Sequence, residues 1–173
     1  MNTHSTRLIA RCVLSLAAFC AFGARVEAGP ADDVREAQAS LRTGDVFASM
    51  SLLRKAADQN HAPAQAGLAD LLHAAEFDQE ALVLYRKAAS QGDAAGEFGL
   101  GRMYADGAGV PRDPVLALEW YRKAEKQNHA PTLDALARAY RTGDLGLAKD
   151  LEQANALDAR VRTIRQAQGR DAR

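Results

Sequence analysis

Apolar residues recur along this chain at helical spacing, in short stretches separated by polar breaks. Two kinds of stretch alternate. One carries a leucine, a small residue beside it, and a larger side chain four positions after the leucine: Leu68-Ala69 with Leu72, Leu100-Gly101 with Tyr104, Leu136-Ala137 with Tyr140. A step of four returns to the same helix face, so each set forms one apolar stripe. The other kind reads Ala-Leu-x-x-Tyr-Arg-Lys-Ala at 81–88 and again at 117–124, with Leu53-Arg54-Lys55-Ala56-Ala57 as a worn copy.

The breaks repeat as well. Gln59-Asn60-His61-Ala62-Pro63 returns as Gln91-Gly92-Asp93-Ala94-Ala95 after 32 residues and as Gln127-Asn128-His129-Ala130-Pro131 after a further 36. The Arg-Lys words keep the same intervals, and a period of this size is the mark of a stacked helical repeat. Asn60, Gly92 and Asn128 tolerate the left-handed conformation that closes one helix. His61, Asp93 and His129 then occupy the N-cap slot of the next, and Pro63 and Pro131 fall in its first turn, where a missing amide proton costs nothing. Gly44, Gly107 and Gly143 end the first helix of a pair.

This pattern predicts helices over Ala31–Arg42 and Val46–Asp58, a pair within Ala62–Gln91, a pair within Ala94–Gln127, and a last pair whose second helix runs from about Asp150 to Gln168. The fold class is all-α: a short right-handed α-solenoid of about four helix-turn-helix repeats over 29–168, with 169–173 as a disordered tail.

The unit from Ala94 to Gln127 is the most regular. Phe98-Gly99-Leu100-Gly101-Arg102-Met103-Tyr104-Ala105-Asp106-Gly107-Ala108-Gly109-Val110-Pro111-Arg112-Asp113, followed by Ala117-Leu118-Glu119-Trp120-Tyr121-Arg122-Lys123-Ala124, resembles a Sel-1-like repeat, a relative of the tetratricopeptide repeat. The resemblance covers about residues 31–160. The unit beginning at Ala62 lacks the Gly-x-Gly-Val-x-x-Asp loop, the last unit keeps it in the altered form Gly143 to Asp150, and the final helix has Leu157 and Asp158 where Trp120 and Tyr121 stand. Departure at an end suits a cap, which presents a polar outer face.

The first 28 residues are set apart from this repeat. Arg7 and Arg11 precede an apolar run from Val13 to Phe22, and Val26-Glu27-Ala28 follows, which is the layout of a signal peptide cleaved after Ala28. A periplasmic or secreted location is expected. Both cysteines, Cys12 and Cys20, lie in that segment, so residues 29–173 can form no disulfide. The whole chain has 22 basic and 22 acidic residues; losing Arg7, Arg11, Arg25 and Glu27 leaves 19 and 21. A net charge of −2 provides no basic footprint for nucleic acid, and no stretch approaches the ~20 apolar residues of a membrane span.

Chemistry-bearing motifs are lacking: there is no nucleophile elbow, zinc-protease helix, paired-cysteine site or phosphate loop. His61, His73 and His129 fall in separate repeats, too far apart for a shared ion. No metal, cofactor or enzymatic activity is expected. The Arg-Lys pairs 54–55, 86–87 and 122–123 are read as stems covering apolar surface with their heads in water, and Trp120 as a core residue.

In solenoids of the tetratricopeptide kind, the first helices line the concave face. Carried over by phase, that resemblance points Ala66, Asp70 and His73, then Phe98, Arg102, Ala105 and Asp106, then Asp134, Arg138 and Arg141 into the groove. Such a mixed-charge surface with Phe98 as an exposed aromatic anchor implies a protein or peptide partner. The protein is therefore expected to be an exported adaptor or scaffold. Two rivals are a regulator of an envelope enzyme or sensor, and a relative of the cysteine-rich Sel-1-like proteins associated with β-lactams and cell-wall fragments; the second lacks its per-repeat disulfides here.

Overall fold

A computed structural model describes residues 29–171; the expected signal segment and its cysteines lie outside the described residues. Among those residues eight α-helices follow one another: α1 Pro30–Arg42, α2 Val46–Asp58, α3 Ala62–Ala74, α4 Asp78–Ser90, α5 Ala94–Asp106, α6 Pro114–Lys126, α7 Ala130–Thr142 and α8 Leu151–Asp171. They form four antiparallel pairs, each helix packed most closely on its own partner, and the pairs stack into an all-α repeat solenoid.

The punctuation has the physical form its residues require. Asp45, Asp93 and Asp113 cap α2, α5 and α6, each carboxylate accepting the amide of the residue three on, at 2.9, 2.8 and 3.0 Å. Asn60 and Asn128 take φ of 60° and 56°, and Gly107 and Gly143 take 75°, so the left-handed stops stand where the sequence places them. His61 and His129 hold the N-cap positions of α3 and α7, but neither ring caps the helix. In the shortened unit no glycine ends α3; Glu76 adopts φ 64° instead and Phe77 leads straight into α4.

The repeated glutamine is a strut, a role its place in a turn word does not reveal. Gln91 Nε2 donates to buried Gln65 at 2.8 Å, and 36 residues later Gln127 Nε2 donates to Glu97 at 2.9 Å. Each bond ties the end of one unit to the first helix of the same unit, at a polar position inside the stack.

Two apolar clusters make up the interior. One runs through α1 to α5 and includes Leu53, Leu68, Tyr85, Leu100 and Met103; the other runs through α6 to α8 and includes Tyr121, Leu133, Leu136, Leu157 and Val161. Trp120 is only half-buried against the first cluster, with Lys123 Nζ 3.6 Å from its ring centre. Close approach is set by glycine: a Cβ at Gly99 would stand 2.1 Å from the Tyr85 ring, and one at Gly101 2.7 Å from the Tyr121 ring. First helices pack on each other along the inner layer, α3 on α5 and α1 on α3, whereas no comparable packing joins α2 to α4 or α4 to α6. That inner layer is the concave side. α5 and α7 are the exception, standing apart where the two clusters meet.

The last helix outruns its expected end. α8 continues through residues 169–171 to Asp171, because Gly169 disfavours a helix by only ~1 kcal/mol and nothing here turns it left-handed.

Candidate partner-binding groove

The gap between α5 and α7 is a cavity of about 400 Å3, floored by Tyr121 of α6. From α5 it receives Phe98, Arg102, Ala105 and Asp106; from α7, Ala135, Arg138, Ala139 and Thr142; Asp144 and Leu145 close one end. Five expected groove residues, Phe98, Arg102, Ala105, Asp106 and Arg138, therefore meet in one place.

The other expected residues do not. Ala66 is 1% exposed and belongs to the core. His73 bonds Asp78 of α4 through Nδ1 at 2.6 Å. Asp134 accepts from Arg165 at 2.6 Å, and Arg141 pairs with Asp158, both partners on α8. For Asp134 and Arg141 the reason is helical phase. Successive residues turn ~100° about the axis, and the cavity lies on the flank of α7 that faces α5, one step round from the flank carrying 134 and 141.

Phe98 is also less open than an anchor at a rim. It is half-buried, with ring centres 5.7 Å from Tyr121 and 5.3 Å from His129, and the Arg102 guanidinium carbon 5.7 Å from its own. It forms an apolar wall of the cavity.

The charged side chains differ in how far they are engaged. Arg102 reaches back to the previous unit, donating to Asp70 at 3.2 Å and to the Tyr85 hydroxyl at 2.8 Å. Tyr85 in turn donates to Asp70 at 2.6 Å. Asp144 is held by Arg112 at 3.1 Å. Among the described residues Arg138 and Asp106 form no ion pair, and the Tyr121 hydroxyl, which is not itself fully buried, makes no hydrogen bond. Burial, with Asp106 adding to it, pushes the Tyr121 hydroxyl up to about 12, so it stays protonated and available as a donor.

Tyr85 and Tyr121 are the site residues that sequence reasoning missed, having been read only as part of the word Ala-Leu-x-x-Tyr-Arg-Lys-Ala. Their signal was available: a buried tyrosine, unlike phenylalanine, brings a hydroxyl that needs a partner.

Five of the six Arg-Lys residues are exposed, as expected, and Arg122 is half-buried, but three of the heads also find partners. Lys55 Nζ lies 2.9 Å from Asp33, which is 1% exposed. Arg86 and Arg122 reach the Tyr104 and Tyr140 hydroxyls of the next unit at 3.4 and 2.6 Å, and Arg122 also holds Glu125 at 2.8 Å. Arg86 and Arg122 stitch neighbouring units together, while Lys55 ties α2 to α1 within the first pair. No group of three or more His, Cys, Asp or Glu among the described residues could hold a metal ion, and no described helix is long and apolar enough to cross a membrane.

An all-α solenoid whose units hold a concave, mixed-charge cavity is a helical-repeat interaction protein by class. The Sel1 repeat model matches residues 44–61, 78–93, 94–129 and 133–157, more than half of the chain, and the chain belongs to the Sel1 repeat family. Repeats of this family generally serve as scaffolds for protein–protein interaction. Among solved structures, the chain is similar to a Sel1 repeat protein from Oxalobacter formigenes, with TM-score 0.67 and 20% identity over 76% of this chain and 56% of that one. It is also similar to a protective antigen of uropathogenic Escherichia coli with an SLR fold, with TM-score 0.63 and 27% identity over 80% of this chain and 34% of that one. The chain thus spans about half and one third of the lengths of these two structures. No curated protein sequence matches it.

Proposed function

We propose that the protein is an exported, non-enzymatic adaptor that takes a segment of a partner protein into its concave face at the gap between α5 and α7. The observation that carries this reading is the cavity itself, where an apolar wall, a free arginine and a free carboxylate sit together between two first helices that do not close on each other. Interface energy concentrates in a few aromatic and arginine residues, and Phe98 and Arg138 are of those types.

The test is capture of partners from envelope extract by protein starting at Gly29. Arg138→Glu should abolish capture with little change in melting, since Arg138 is exposed and unpaired. Lys126→Glu, exposed on the outer helix α6, should leave capture intact; Arg122 is no neutral control, being tied to Tyr140 and Glu125. Loss of capture with Lys126→Glu and not with Arg138→Glu would move the working surface to the convex side. Export rests on the pattern of residues 1–28 and is tested separately: mass spectrometry of periplasmic or secreted material should give an N-terminus near Gly29, and a soluble cytoplasmic pool that keeps Met1 would contradict it.

A further inference from the structure

Successive units present the same three positions on the concave face, and two of the frames differ in one residue. In the first frame, Asp70 of α3, Tyr85 of α4 and Arg102 of α5 form a closed trio: the carboxylate accepts from the tyrosine hydroxyl at 2.6 Å and from the guanidinium at 3.2 Å. In the next frame the equivalent residues are Arg102, Tyr121 and Arg138, spaced by the same repeat intervals. Tyrosine and arginine are retained and the carboxylate is gone. Its place is taken by an arginine already turned back to the first frame.

The consequences are visible in the cavity. α5 and α7 stand apart there, with nothing to draw Arg138 inward, while α3 and α5 pack directly across the completed trio. The Tyr121 hydroxyl, on a side chain 4% exposed, opens into the cavity without a partner.

We infer that the missing group is supplied by the partner: the cavity receives an aspartate or glutamate side chain, which accepts from the Tyr121 hydroxyl and the Arg138 guanidinium as Asp70 accepts from Tyr85 and Arg102. Charge-assisted bonds of this kind are the strong ones, and a guanidinium reads a carboxylate in two-pronged fashion. Phe98 gives the ligand's methylenes an apolar wall. Asp106 on the rim cannot take part in holding the carboxylate; it suits a backbone amide of the same segment. A side chain is favoured over a chain terminus because the carboxylate in the completed frame is itself a side chain set on a helix.

This inference rests on the groove reading above, and its experiment separates the two. Three short peptides are titrated into the protein starting at Gly29 and followed by 1H–15N spectra, including the Arg138 Nε–H: Ac-Gly-Phe-Asp-Leu-Gly-NH2, its Asn counterpart, and Ac-Gly-Phe-Gly-Leu with a free terminal carboxylate. The aspartyl peptide should shift α5 and α7 resonances saturably, in the millimolar range expected of a single anchored side chain. The asparaginyl peptide should bind at least about tenfold more weakly, and Arg138→Gln and Tyr121→Phe should each weaken the aspartyl peptide by about tenfold, the scale of one lost charge-assisted hydrogen bond.

Equal binding of the asparaginyl peptide, or binding of the free terminus in preference to the aspartyl side chain, overturns the carboxylate inference while the groove reading stands. If no peptide moves any α5 or α7 resonance, the inference is overturned too, and partner capture that is indifferent to Arg138→Glu then removes the groove reading with it.

Discussion

Two frames of one repeat meet in this molecule, and they have opposite fates. Around Tyr85 the concave face is closed, with the hydroxyl, the Asp70 carboxylate and the Arg102 guanidinium all bonded to one another. Around Tyr121 it is open, with a hydroxyl and an arginine left over. Both tyrosines are buried against a glycine of α5, so the difference at the hydroxyl does not lie in burial of the ring. It lies in Asp70 against Arg102, a reversal of charge at equivalent positions. A repeat protein can make a binding site by withholding one residue from a contact that its neighbour completes.

The packing half of the comparison gives the largest expected effect. Gly99→Leu drives side-chain atoms into the Tyr85 ring, which the glycine touches more closely than Gly101 touches Tyr121. It should cost about 3 kcal/mol or more by thermal melting, and Gly101→Leu about 1–3 kcal/mol. If Gly101→Leu costs more than Gly99→Leu, the Tyr85 side of α5 is not the tighter one.

Asp70→Asn comes next. It leaves Tyr85 and Arg102 without their charged acceptor, and should cost about 1–2 kcal/mol, whereas Asp106→Asn in the open frame should change stability by less than ~0.5 kcal/mol. Equal losses would mean that Asp106 has an engagement comparable to that of Asp70.

A smaller, pH-dependent effect comes from His129, whose ring leans at a tilt against Phe98 and bonds buried Thr132 through Nδ1 at 2.8 Å. Burial lowers its basicity, outweighing the opposing pull of Asp93 and Asp70. The unfolded chain therefore takes up a proton on this ring at a higher pH than the folded protein does, and the folded state loses stability as pH falls below about 6.5. His129→Asn keeps a residue suited to the N-cap and should flatten that fall in melts between pH 7 and pH 5. An unchanged slope would assign the pH response elsewhere.

How much of this was legible in the sequence follows from which interactions are local. Helix ends were legible because Asn60, Asn128, Gly107 and Gly143 each answer a backbone demand within their own turn. The coming together of Phe98, Arg102, Asp106 and Arg138 was legible because repeat phase carries positions from one first helix to the next. Asp134 and Arg141 were misplaced because their orientation depends on Arg165 and Asp158 of α8, the unit least like the others. The trio at Tyr85 was hidden for a related reason: it joins three helices of two units, and neither periodicity nor a single unit's pattern shows that the tyrosine of a repeated word ends at a carboxylate.

The central claim is that Tyr85 is satisfied within the protein and Tyr121 is not. The most direct measurement is a pair of thermal melts, Tyr85→Phe and Tyr121→Phe, each with and without the capped aspartyl peptide. Without peptide, Tyr85→Phe should cost about 1–2 kcal/mol, since the hydroxyl's bonds to Asp70 and Arg102 are lost, and Tyr121→Phe should cost less than ~0.5 kcal/mol. With peptide, the wild-type protein and Tyr85→Phe should gain melting temperature and Tyr121→Phe should gain little. Equal costs for the two hydroxyls without peptide, or an undiminished gain in Tyr121→Phe, would contradict it.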